Sequence, residues 1–246
     1  SRRAVKPIPI DDYHRFKKEV GMLKKSCYLE FFASNPDVFQ IKKEKTISKN
    51  LERIFAATLK ISNKKGFHAM TMRDLSKEAD LSTGALYNYF SGKEDLLEMM
   101  QRHRRTIASR VLKSNIAVEE EPLSKLRAAI RTHLYLSEAM QPWFFFSYME
   151  AKNIGVRERR AAVQGELNTE KLFTDIISMG RDQGLFITDD CRMTASLVKA
   201  MLQDWYLKRP KYARRNIDVD TYARFMTAFI ESSIINPQSD AKGNPP

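Results

Sequence analysis

Between Thr71 and Leu97 the chain starts and stops helices more often than one long element allows, and this stretch constrains the fold most. Thr71 stands before Met72-Arg73-Asp74-Leu75-Ser76-Lys77-Glu78-Ala79, a short helix that it can cap with its hydroxyl. Asp74, three residues on, gives a weaker form of the reciprocal capping pair, which prefers Glu or Gln there. Asp80-Leu81-Ser82 reads as a turn, Thr83 to Phe90 as a second short helix, Ser91-Gly92 as a break and Lys93 as the start of a long helix. The turn needs a residue that tolerates left-handed backbone; Asp80 can do this, though Gly does so more easily. Two helices this short cannot bury a core alone. They need the helix after them and the helix before, where Leu51, Ile54, Phe55 and Leu59 recur at helical spacing up to a stop at Gly66. Leu75, Ala79, Leu81, Leu86 and Phe90 would form the small core between them. This arrangement can present its second helix to the major groove of DNA.

The rest of the chain reads as all-α. No segment alternates apolar and polar residues over six or more positions, and no internal repeat is visible. Residues 1–45 form an N-terminal extension. It has helical spacing from Asp11 to about Ala33 (Phe16, Val20, Leu23, Cys27, Phe31) and ends at Asn35-Pro36 before the basic Lys42-Lys43-Glu44-Lys45. Residues 46–97 are the helix-turn-helix head. Residues 98–236 are a body of longer amphipathic helices, expected at 93–114, 123–140, 142–153, 157–182, 190–208 and 218–235, with joints at Pro122, Pro142, Gly155, Gly184 and Pro210. Residues 237–246 read as a flexible tail.

Charge follows this division. Residues 1–115 hold 24 Lys and Arg against 13 Asp and Glu, whereas residues 116–246 hold 18 against 17. Nearly all of the net +12 therefore sits in the N-terminal half. Such a face attracts a polyanion, although a solvated basic surface has the same composition. No apolar run approaches the ~18 residues that cross a bilayer; the densest, Trp143-Phe144-Phe145-Phe146, is far too short. The first residues lead into no apolar segment, so no secretory signal is read. Cys27 and Cys191 are distant and in no metal-ligand spacing, which reads as reduced thiols in a cytoplasmic protein with no metal and no cofactor. There is no glycine-rich phosphate loop, nucleophile elbow, zinc motif or paired carboxylate site, so an enzyme is not expected.

The run Leu86-Tyr87-Asn88-Tyr89-Phe90, a break, then Lys93-Glu94-Asp95-Leu96, preceded by the Thr71 and Thr83 helices, resembles the DNA-binding head of the TetR family of transcriptional regulators. The close resemblance covers roughly a fifth of the chain; elsewhere it rests on helix number and order. Asp80, where the family usually has Gly, and the long extension depart from the pattern. The resemblance implies a sequence-specific regulator, in the main reading a repressor, bound to a double-stranded operator. Thr71, Tyr89 and Lys93 match phosphate-contacting positions, though Lys93 is also simply the exposed start of a helix. Arg73 matches a position that reaches bases in some members, and its fork suits guanine; the alternative is a solvated or phosphate-bound side chain. Ser82, Thr83, Gly84, Tyr87 and Asn88 complete the expected contact surface: Gly84 for close approach, Asn88 for adenine, Tyr87 for a thymine methyl or a phosphate. Arg2, Arg3 and Lys6 of the extension either enter a minor groove or belong to a segment that packs on the body.

For the body, the resemblance implies a homodimer through the last two long helices, with Leu197, Met201, Trp205, Phe225 and Phe229 at the interface; these stripes can equally face their own core. It also implies a pocket for a small hydrophobic effector, lined by Tyr135, Met140, Trp143, Phe144, Tyr148, Phe173 and Ile177, whose filling tilts the long helix that carries the head. The competing reading is a filled aromatic core, in a DNA-bound scaffold whose body contacts a protein partner. His103 and His133 show no metal spacing, and Asp189-Asp190 reads as a helix cap.

Overall fold

The structure, a computed structural model, describes residues 6–33 and 44–238. Its helices run α1 (Tyr13–Ala33), α2 (Glu44–Lys65), α3 (Met72–Ala79), α4 (Thr83–Tyr87), α5 (Lys93–Ala117), α6 (Pro122–Ala139), α7 (Gln141–Met149), α8 (Val156–Asp182), α9 (Cys191–Leu207), α10 (Arg209–Arg214) and α11 (Val219–Ile234). No strand forms among the described residues; one isolated antiparallel bridge pairs Phe186 with Ile235. The all-α expectation therefore holds. The expected features at Asn35-Pro36, at Lys42-Lys43 and in the tail from residue 239 lie outside the described residues.

The described residues group into two compact units. Among the described residues, one draws on 6–17, 108–141 and 164–238, the other on 18–33, 44–107 and 142–163. In the first unit, Leu126, Ile130 and Leu134 of α6, Phe173 and Ile177 of α8, and Val198, Leu202 and Trp205 of α9 are buried. Each such side chain contributes roughly 1.5–3 kcal/mol by leaving water. Trp205 sits 5.2 Å from the Tyr212 ring and 4.9 Å from the Tyr222 ring, with the Arg209 guanidinium 4.7 Å above its own ring. Tyr212 lies on α10, where sequence patterning shows only a joint at Pro210. Proline is tolerated in a first turn, where its missing N–H has no partner in any case. The bridge at Phe186 depends on Gly180 in α8: a Cβ there would lie 2.1 Å from the Phe186 ring.

The start of the extension belongs to this unit. The Ile8 N–H donates to Asn115 Oδ1 and Asn115 Nδ2 donates back to the Ile8 carbonyl, both at 2.8 Å. Asn115 also donates to Thr132 at 3.0 Å, so the buried amide is satisfied on both ends. Tyr13 and Phe16 of α1 meet the Tyr135 ring edge-on, and the Tyr135 hydroxyl donates to Asp220. The expected amphipathic face of α1 is real: Phe16, Val20 and Cys27 are buried.

In the second unit, Phe55 of α2 packs edge-on against Trp143 at 5.3 Å, and Phe67 likewise against Phe146 at 5.7 Å. Tyr28 of α1 stacks on His103 of α5 at 4.4 Å. The ammonium of Lys24 lies 5.4 Å over the Trp143 ring, and burial lowers its pKa from the ordinary lysine value. Both cysteines are buried and neither is in a disulfide, and no cluster of His, Cys, Asp or Glu able to hold a metal occurs among the described residues. No helix of the described residues is long and apolar enough to cross a membrane.

Candidate nucleic-acid interface

The head is built on α2. Leu51, Ile54 and Phe55 are buried, and the helix stops at Gly66, whose φ of 83° lies where a side chain would be strained. The chain then reaches Thr71, the N-cap of α3. Its hydroxyl accepts from the Asp74 N–H at 3.1 Å, while Asp74 Oδ2 accepts from the Thr71 N–H at 2.7 Å. The reciprocal capping pair is thus complete with Asp in place of Glu. The Lys65 ammonium donates to the same carboxylate at 2.7 Å. That bond first, then those from Thr71, holds the Asp74 carboxyl well below the usual carboxylate range.

Asp80 ends α3 at φ 50° and ψ 52°, the left-handed conformation the turn demands. Such backbone costs a non-glycine residue roughly 1–2 kcal/mol. Arg53 of α2 offsets this by donating to the Asp80 carbonyl at 2.7 Å and to its carboxylate at 2.6 Å. Two further ion pairs join α2 to α3, Lys60–Glu78 at 2.5 Å and Lys65–Asp74. The sequence reading missed Arg53, Lys60 and Lys65. Their signal was a basic residue on α2 for each acid of α3 and its turn, which only the packing can match in register. The consequence is electrostatic. The acids of α3 and its turn are engaged by α2, whereas Arg73 and Lys77 are exposed and in no ion pair among the described residues.

Ser82 caps α4, accepting from the Ala85 N–H at 3.1 Å. The helix ends at Tyr87, shorter than the expected Thr83–Phe90, because the Tyr89 N–H turns back to the Leu86 carbonyl at 2.9 Å. Asn88 is the C-cap. Leu75, Ala79, Leu86 and Phe90 are buried as expected and Leu81 is half-buried. The outer surface carries Thr71, Arg73, Ser82, Gly84 and Asn88, all exposed, with Thr83 half-buried and Tyr87 53% exposed. Nothing lies within 4 Å of where a Gly84 Cβ would be, so another surface can approach the backbone there.

One of the two remaining residues differs from expectation. Tyr89 is buried and its hydroxyl accepts from Asn50 Nδ2 at 2.9 Å; it supports the α4 turn from within rather than standing on the outer surface. Lys93 is half-buried, with its ammonium on the His68 carbonyl at 2.8 Å and 5.3 Å over the Phe67 ring, a cation held at the edge of the head.

The effector residues separate. Tyr135, Met140, Phe173 and Ile177 are buried in the first unit; Trp143 and Phe144 are buried in the second, where Trp143 packs on Phe55 and His103 and Phe144 lies under Arg104. Tyr148 is 53% exposed. Two cavities found among the described residues of the first unit are lined by other residues. Of the interface residues, Leu197 and Phe225 are 61% and 72% exposed, Phe229 is exposed and Met201 is half-buried. Trp205 is corrected: it is fully buried in its own chain among Tyr212 and Tyr222. Met193, also exposed, lies one turn before Leu197 on α9.

A family model described as bacterial regulatory proteins, tetR family, matches residues 54–100, and one described as tetracyclin repressor-like, C-terminal domain, matches residues 119–209. A regulator named HTH-type transcriptional regulator HbdR, from Aromatoleum sp. (strain CIB), is 22% identical over 128 residues, 52% of this chain and 56% of that protein. The chain therefore spans little more than half the length of this curated relative. The ketosteroid transcriptional regulator KstR2 of Mycobacterium tuberculosis superposes with a TM-score of 0.65 at 16% identity, covering 80% of this chain and 97% of that one. The transcriptional regulator FadR from Bacillus subtilis, solved in complex with stearoyl-CoA, superposes at 0.59 and 16% identity, covering 73% and 97%. At these identities the superpositions establish a shared fold.

Proposed function

Because the chain belongs to the tetR family of bacterial regulatory proteins, we propose that it is a sequence-specific repressor that binds operator DNA as a homodimer and is released by a small hydrophobic effector. The observation that carries the DNA-binding part is the α3–turn–α4 head. Its acids are engaged by α2, its outer surface offers Arg73, Gly84, Tyr87 and Asn88, and Lys93 stands at its edge. Arg and Asn side chains match the hydrogen-bonding edges of guanine and adenine in the major groove, while Thr71, Ser82, Thr83 and Lys93 suit phosphates. Tyr89 acts here as a positioning residue. The homodimer reading draws support from the exposed Met193, Leu197, Phe225 and Phe229 on α9 and α11. The effector reading draws support from a structural neighbour that binds stearoyl-CoA.

The alternative, a DNA-bound scaffold without an effector, is favoured by one observation: Trp143 is engaged in packing against Phe55, and Phe144 under Arg104. Selection of bound sequences from random duplex DNA tests the shared part of both readings. Enrichment of a near-palindrome is expected. Salt-sensitive binding without enrichment would reduce the head to a non-specific anchor. In the same selection, Asn88→Ala should change the preferred bases at one position in each half-site; a uniform loss of affinity would remove Asn88 from base reading.

A further inference from the structure

We propose that the groove between α6 and α11 is a binding site for a small organic phosphate monoester, held by the guanidiniums of Arg131 and Arg224. The groove has a volume of about 450 Å³, within the ~300–1,000 Å³ of small-molecule sites. It exists because the facing surfaces carry alanine where longer side chains would meet: Ala128 on α6, Ala223 and Ala228 on α11. Around this apolar floor stand three arginines. Arg127 is already neutralised, since its fork donates to both oxygens of Glu231 at 2.6 and 2.8 Å. Glu231 makes its ion pair with Arg127 and with neither of the other two.

Arg131 and Arg224 have no ion-pair partner among the described residues, although Glu119 also lines the groove. Asp218 is within electrostatic reach of Arg224 but forms no ion pair with it, unlike the acids at Arg53–Asp80, Arg105–Glu158 and Arg209–Glu138. Arg131 is steadied by the Tyr135 ring 5.8 Å away, and Arg224 by a 3.2 Å bond to the Thr221 hydroxyl. Neither contact neutralises the charge. Two planar forks in one cavity suit a dianion with several acceptor oxygens, and a phosphate monoester is that group at neutral pH. The alanine floor accommodates its carbon body, which inorganic phosphate lacks. Ile10 of the extension also lines the groove, so an occupant can touch the N-terminal segment.

The experiment is calorimetric titration of glycerol 3-phosphate into the full chain at fixed ionic strength, without DNA, so that its result is independent of the operator reading. Saturable binding at one site per chain is expected. Arg131→Gln with Arg224→Gln should weaken it at least tenfold, while Arg214→Gln, an exposed arginine elsewhere, should leave it unchanged. If the double variant loses stability, Arg224→Gln alone, at an exposed position, carries the same test. Absence of saturable heat, or equal binding by the double variant, overturns the site. Succinate binding as tightly as glycerol 3-phosphate overturns the assignment of the ligand class.

Discussion

One carboxylate, that of Asp74, accepts from the Thr71 N–H, the Thr71 hydroxyl and the Lys65 ammonium. It both caps α3 and ties α3 to α2. These donors favour the ionised form and depress its pKa in the folded state. A depressed carboxylate contributes stability that is present above its unfolded value of about 3.9 and is lost as pH falls through the folded value. Asp74→Asn keeps an acceptor for the Thr71 N–H but removes the charge. The variant should melt below the parent at pH 7, with the gap closing as pH falls below about 4. A gap that stays constant through that window would assign the loss to shape rather than charge. Lys93 allows a second test at this scale. Its ammonium rests on a single backbone carbonyl and makes no ion pair among the described residues, so Lys93→Ala should cost little stability. If it meets a phosphate, the log–log salt dependence of DNA binding should become shallower by about one unit; an unchanged slope would place Lys93 off the DNA.

Among the elements, α3 and the turn after it are where sequence and structure meet most closely. Thr71 as cap, the left-handed turn at Asp80 and the burial of Leu75, Leu86 and Phe90 were all legible, because each follows from local chemistry or spacing. The end of α4 was not. Phe90 keeps the helical period from Leu86, yet the backbone has already turned at Asn88, and its burial comes from tertiary packing. Tyr89 was placed on the outside by motif; only the packed head reveals Asn50 behind it. The same limit explains Trp205. Periodicity defines an apolar stripe on α9 but not which neighbour covers which part of it. Gly84 provides the test for α4. Its backbone needs no glycine and open space surrounds it, so Gly84→Ala should leave the free protein as stable or raise stability by about 0.5 kcal/mol. If α4 lies against DNA there, the added methyl should nevertheless weaken operator binding. Unchanged affinity would mean that α4 does not approach the bases at its N-terminus.

For the molecule as a whole, the apolar side chains left in water raise the question of what covers them. Met193 and Leu197 on α9, and Phe225 and Phe229 on α11, belong to one compact unit and are all at least half exposed. Large exposed apolar groups clustered on two helices mark interaction surfaces in folded proteins. A twofold interface would use the same patch on both copies, so a single charge introduced there is met by its own repeat. Leu197→Glu combined with Phe225→Glu should therefore separate the copies. Because both side chains are exposed in the single chain, helical content should persist, which circular dichroism can verify. Sedimentation at micromolar concentration should show a dimer for the parent and a monomer for the variant. Binding to a palindrome should then fall by more than tenfold, because the two heads no longer bind as one unit, while affinity for an isolated half-site stays near that of the parent. A parent that sediments as a monomer would refute the dimer; a variant that remains dimeric would move the interface away from α9 and α11.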